Sequence, residues 1–183
     1  FVIWLPLALP LYLLRFHIGI FPTTILEIWI FAIGILFVFG WGKDGMREAW
    51  NKLVDWRAPC LFWFFATLVA VFVSPSVWTG LGLWRAYVLE PLAIFFLLPI
   101  ILDQQSYRER VERSLIILLI VLAVWSLIQF TFGIGIPYPW NVGIIEGRRA
   151  TGPFPFPNAL ALLTTPIGVW MFAKWLREKN IWH

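Results

Sequence analysis

Cysteine occurs once in this chain of 183 residues, at Cys60, and histidine twice, at His17 and His183. A single thiol excludes an internal disulfide and a cysteine-rich metal site. No cluster of His, Asp and Glu falls at metal-ligand spacing, so neither a metal nor a cofactor is expected. Charge is scarce as well: 13% of residues carry it, with a net value of +4. The basic residues are scattered among apolar runs, a distribution that argues against nucleic-acid binding. Gly80-Leu81-Gly82 and Gly133-Ile134-Gly135 lack a preceding strand and a following glycine, so neither reads as a nucleotide loop. Ser74 and Ser76 flank Pro75 in a turn pattern, and no Ser-His-Asp arrangement can be assembled around them.

Apolar residues, by contrast, make up 61% of the chain, with 13 Trp and 17 Phe. A water-soluble domain of this size could not hide that much apolar surface, so lipid is the expected solvent. Apolar runs at residues 1–14, 23–41, 59–74, 84–102, 114–133 and 158–175 alternate with charged loops. The later runs have roughly 16–20 residues, near what crosses about 30 Å of hydrocarbon at about 1.5 Å per residue. The pattern predicts an all-α fold, a polytopic transmembrane bundle of about six helices in one domain over 1–183, with a long loop at 134–157. The first run is short, begins at Phe1 without Met, and suggests a fragment of a longer membrane protein. Pro6 and Pro10 are expected to kink it.

Lys43, Arg47, Lys52 and Arg57, then Arg108, Arg110 and Arg113, then Lys174, Arg177 and Lys179 would share one side of such a bundle. The other side would hold Arg15, Arg85, Arg148 and Arg149. The positive-inside rule makes the richer side cytoplasmic, which puts the amino end inside and the 134–157 loop outside. Between residues 41 and 57, Met46, Trp50, Leu53, Val54 and Trp56 can share one helical side, a pattern suited to lying in the cytoplasmic interface. Trp41, Trp56, Trp84, Trp140, Trp175 and Trp182 stand near run ends, as an aromatic belt would.

Within the outer loop, residues 147–158 concentrate two arginines, two glycines and three prolines. Pro153, Pro155 and Pro157 each remove a donor and restrict the preceding residue, so 150–156 should not be helical. Asn158 is placed to cap the helix that follows. Arginines on the side that the positive-inside rule disfavours need a local reason. A guanidinium pairs bidentately with phosphate, so Arg148, Arg149, Arg85 and Arg15 are candidates for an anion site at the outer leaflet. The plainer alternative is that each snorkels to the headgroups. Glu27 and Glu90 fall near or inside apolar runs and are expected as ion-pair partners, with Arg85 within reach of Glu90. His17 reads as amphipathic surface.

The stretch Arg149-Ala150-Thr151-Gly152-Pro153-Phe154-Pro155-Phe156-Pro157-Asn158-Ala159-Leu160-Ala161 resembles the Arg-x-x-Gly-x-Phe-x-x-Pro-Asn-x-x-Ala signature of bacterial O-antigen ligases and Wzy-type polymerases. Pro22 to Glu27 and Gly82 to Pro91 look like the openings of helices in that family. The resemblance implies a multi-pass glycosyltransferase of the bacterial inner membrane with the GT-C architecture. Such enzymes take a glycan from undecaprenyl diphosphate on the outer face, without metal or nucleotide sugar. They pass it to lipid A-core, to another glycan or to protein. Arg149 matches the family's outer-loop arginine, which is thought to engage the diphosphate, and Gly152, Pro157 and Asn158 match its structural positions. The family's later outer loop, with its proposed base, has no counterpart in 1–183. The competing readings are a transporter with Glu27, Glu90 and Arg85 lining a solute path, and a membrane scaffold without a site.

Overall fold

A computed structural model describes residues 2–18, 21–141 and 147–179. The expected first helix does not form: Pro6 and Pro10 divide the run into a 3-10 turn at Val2–Trp4, one α turn at Leu5–Ala8 (α1) and a 3-10 turn at Leu9–Leu13. Each proline lacks the N–H that an α ladder needs, and short 3-10 pieces tolerate the interruption. A small antiparallel hairpin follows, β1 Arg15–Ile18 against β2 Phe21–Thr24, with Arg15 opposite Thr24 and His17 opposite Pro22. The hairpin is absent from an all-α expectation.

Among the described residues, five helices are long and apolar enough to cross a membrane by length and composition: Ile25–Lys52, Val54–Val73, Val77–Ile101, Gln105–Phe132 and Pro157–Glu178. The chain is a multi-pass membrane protein, mostly helical. Phe31, Phe39, Phe62, Trp78 and Leu162 turn outward from these helices, an arrangement suited to acyl chains as solvent.

Helix α2, Ile25–Lys52, starts with a capping box: Thr24 Oγ1 accepts from Glu27 N and the Glu27 carboxylate accepts from Thr24 N. This pairing satisfies two of the donors that a helix start leaves orphaned. The helix passes a kink at Gly42, whose φ of 59° and ψ of −152° lie in a region essentially reserved for glycine. Beyond the kink the helical 43–52 stretch expected at the interface is present, but it packs through Gly45, Ala49 and Leu53, while Met46, Trp50, Val54 and Trp56 stay exposed. Small side chains let the backbone approach its neighbours closely. Gly42→Ala should therefore destabilise by about 1–3 kcal/mol, measured as denaturation in detergent. Because a Cβ there meets nothing within 4 Å, unchanged stability would show that the kink does not require glycine.

Helix α3 covers Arg57–Val73. A Ser74-Pro75-Ser76 turn joins it to α4, Val77–Trp84, whose first turn is capped by Ser76. The fourth apolar element thus starts at 77 rather than 84. Gly80 sits where a Cβ would come within 2.9 Å of Ser74 Oγ, and Trp84 Nε1 donates to Thr67 Oγ1 at 3.1 Å. A π turn over Arg85–Leu89 connects α4 to α5, Glu90–Ile101. Leu5, Ile33, Phe37, Ala49, Leu97 and Ile100 are among the buried side chains that pack together as a core. Lys52 Nζ meets Asp103 at 2.9 Å, and this hydrogen bond holds the Asp103 carboxyl below its ordinary 3.8. A depressed folded value means that stability is present above the unfolded value and lost as pH falls through the folded one. Asp103→Asn should therefore flatten the acid limb of a thermal-midpoint profile below about pH 4; an unaltered acid limb would exclude the pair as its source.

Two compact units are resolved, Phe1–Arg110 and Val111–His183. The second contains most of α6, Gln105–Phe132, and all of α7, Pro157–Lys179. Helix α6 begins nine residues before the expected apolar run, through a charged stretch in which Gln105 bonds Glu109. Lys174 of α7 pairs with Glu112 of α6. Helix α7 opens at Pro157, so Asn158 lies inside the first turn and is not the cap expected from its position. Proline suits this opening because the N–H it lacks would be unpaired there anyway. Residues 150–156 are not helical, as three prolines demand.

Candidate functional site

In the first unit, Arg85 gathers the two acids singled out by their position in apolar runs. Its Nη2 lies 2.8 Å from Glu27 Oε2 and donates to Pro22 O at 2.8 Å. Its Nε lies 3.7 Å from Glu90 Oε1, too far to bond, and is buried without a hydrogen-bond partner. Glu27 Oε2 also accepts from Thr23 Oγ1 at 2.6 Å. Both acids are largely covered, 14% and 15% exposed, against 37% for the arginine. The π turn makes the Arg85–Glu90 contact. In an α-helix, residues five apart are about 140° from alignment, whereas the Glu90 N–H to Arg85 O closure brings positions five apart over one another.

These charges stand at one end of a groove of about 730 Å³. Its walls are Ile28, Phe31, Ile35 and Phe39 from α2 with Leu89 from the π turn and Ala93 from α5. From Glu27 to Phe39 the groove follows about 18 Å of helix. One guanidinium faces two carboxylates, so the cluster is electrically satisfied or acidic and offers little to an anion. Arg15 is exposed on β1, with no hydrogen bond or ion pair to its guanidinium among the described residues.

The second unit holds the elbow. Gln129, 1% exposed, is a polar residue inside the fifth apolar run that sequence reasoning passed over. Its Oε1 accepts from Thr151 N at 3.0 Å and Gly152 N at 2.8 Å. Its Nε2 donates to Gly135 O at 3.0 Å and Gly152 O at 2.8 Å. Both amide protons and both acceptor sites are used. Gly152 has φ of 60°, and a Cβ there would lie 3.2 Å from Leu160 Cδ1, so backbone and packing both call for glycine.

No protein-family model, curated protein or solved structure matches this chain.

The two elbow arginines differ in what they touch. Arg148, half-buried, makes long contacts of 3.4 Å from Nη1 to Phe130 O and Thr131 O, at the end of α6 where carbonyls are orphaned. Gly133, with φ of 68°, gives it room: a Cβ there would lie 2.8 Å from Arg148 Cζ. Arg149 is exposed. Its N–H donates to Trp140 O at 3.2 Å and its Cζ lies 5.9 Å from the centre of the Trp140 ring. Among the described residues the guanidinium has no hydrogen-bond partner. Arg15 and Arg85 belong to the first unit and Arg148 and Arg149 to the second; within the 134–157 loop, 142–146 lie outside the described residues.

Proposed function

We propose that this protein is a membrane glycosyltransferase that transfers a glycan from undecaprenyl diphosphate to a glycan or lipid acceptor, in the manner of O-antigen ligases and polymerases. The observation that carries the reading is Arg149, an exposed guanidinium on an elbow whose backbone is bonded into the helix before it. Supporting it is the run of residues from Arg149 to Ala161 and its resemblance to the signature of those enzymes. A fixed cation with free donors is suited to the charge that develops on a departing diphosphate. The reading assigns that contact to Arg149 alone. Arg148 serves the end of α6, and Arg85 is neutralised by Glu27 and Glu90. The acceptor hydroxyl needs a base, a role that the reading assigns to none of the described residues. A bacterial inner-membrane location, a GT-C architecture and a cytoplasmic amino end belong to the same proposal.

The experiment compares Arg149→Ala with wild type in the full-length protein, in membranes supplied with an undecaprenyl-diphosphate glycan. Loss of transfer at normal protein level supports the assignment, and unchanged transfer removes it. A second reading, solute transport, has one observation in its favour: Arg85, Glu27 and Glu90 line a common groove. The apolar walls of that groove weigh against a polar solute.

A further inference from the structure

We infer that Gln129 is the positioning residue for Arg149, acting as a two-ended clamp that sets where the elbow presents its guanidinium. The inference rests on the lipid-diphosphate reading of Arg149. The elbow departs from α6 at Gly133 and returns to start α7 at Pro157. Three prolines make the returning segment stiff, but they also strip it of donors, so its remaining N–H groups must find partners elsewhere. Gln129 supplies them. It receives the consecutive N–H groups of Thr151 and Gly152 on one oxygen and returns a proton to Gly152 O from its nitrogen. The same nitrogen bonds Gly135 O, so a single side chain joins the outgoing and returning limbs. On the other side of Arg149, Arg148 contacts the last carbonyls of α6 and Arg149 N bonds Trp140 O. Arg149 is therefore held between anchors one residue before it and two residues after it.

Burial gives the clamp its grip. Gln129 is 1% exposed and Thr151 is fully buried, so water cannot replace a lost partner. Removing the amide would strand the N–H groups of Thr151 and Gly152 in an apolar setting, while Gly152 O would keep its 3.3 Å bond from Thr151 Oγ1 and the exposed Gly135 could turn to water. An apolar side chain at 129 would keep the helix, which needs no polar group there, while releasing the elbow. Gln129 touches no reacting atom and acts only through the backbone that carries Arg149.

The test uses the full-length protein in nanodiscs with two readouts. Hydrogen exchange at the Thr151 and Gly152 amides reports the clamp, and equilibrium binding of undecaprenyl diphosphate reports Arg149. Gln129→Met should raise exchange at both amides by about tenfold or more, the factor that corresponds to losing one net hydrogen bond. Arg149→Ala should weaken binding by about 10- to 100-fold, and Gln129→Met by a similar factor. The double variant should bind no more weakly than Arg149→Ala, because residues acting through one contact are not additive. Unchanged exchange in Gln129→Met overturns the clamp. Faster exchange with wild-type affinity overturns the positioning role. Full binding by Arg149→Ala overturns the diphosphate reading and the positioning role with it, and exchange alone then decides the clamp. Should Gln129→Met fail to fold, Gly152→Ala attacks the same joint from the other side, through its φ of 60° and its contact with Leu160. Its binding per folded molecule should fall likewise, and wild-type affinity there overturns the proposal.

Discussion

Arg149→Ala should lower glycan transfer by about 10²–10³-fold, the loss seen when one fixed donor to a developing anion is removed. The size follows from the surroundings of the guanidinium. It has no protein acceptor among the described residues and only the Trp140 ring beside it at 5.9 Å, so none of its donors needs to be released before a diphosphate can be met. Arg149→Lys should recover part of the rate, since a point charge remains while the planar fork is lost. Arg148→Ala should act mainly on stability, because its guanidinium addresses Phe130 O and Thr131 O. The measurement is transfer rate per unit of protein in membranes. Equal losses in the Arg148 and Arg149 variants would show that the two cations share one ligand. No loss in either would return weight to the transport reading.

Glu27→Ala should cost about 2–4 kcal/mol of stability. Removing one partner of a buried ion pair costs about 3–5 kcal/mol, reduced here because Arg85 is 37% exposed. The carboxylate also closes the capping box at the start of α2 and bonds Thr23 Oγ1, which adds about 1 kcal/mol. After its removal Arg85 retains Glu90 at 3.7 Å, a contact without a hydrogen bond. Glu27→Gln should cost about half as much, since an amide oxygen still accepts from Thr23 and Thr24 while the charge is gone. Denaturation of purified protein in detergent distinguishes them. Equal stability of Glu27→Ala and wild type would mean that the pair is solvated in the membrane and contributes nothing.

Elements written in local chemistry were legible in the sequence. Apolar runs near 20 residues announced helices at 59–74, 114–133 and 158–175, and the observed helices contain or closely match them. Their ends were not, because charged residues at 105–113 can extend a helix as readily as leave it. The three prolines excluded helix from 150–156 without any knowledge of neighbours, because each one restricts its own backbone. Pro6 and Pro10 announced a kink, yet whether neighbours would tolerate it decided between a bent helix and a run of separate turns.

What the sequence by itself determined is the solvent of this protein, the rough positions of its long helices and the stiffness of its elbow. All three depend on residue type and short-range sterics. The tertiary structure alone decided that Gln129 grips residues 22 and 23 positions later, that Arg148 turns to a helix end while Arg149 stays open, and that a π turn lays Arg85 beside Glu90. A buried amide, a guanidinium and a carboxylate must each find a partner once water is excluded. Which partner it is depends on the path of the chain between them, which no window of local sequence contains.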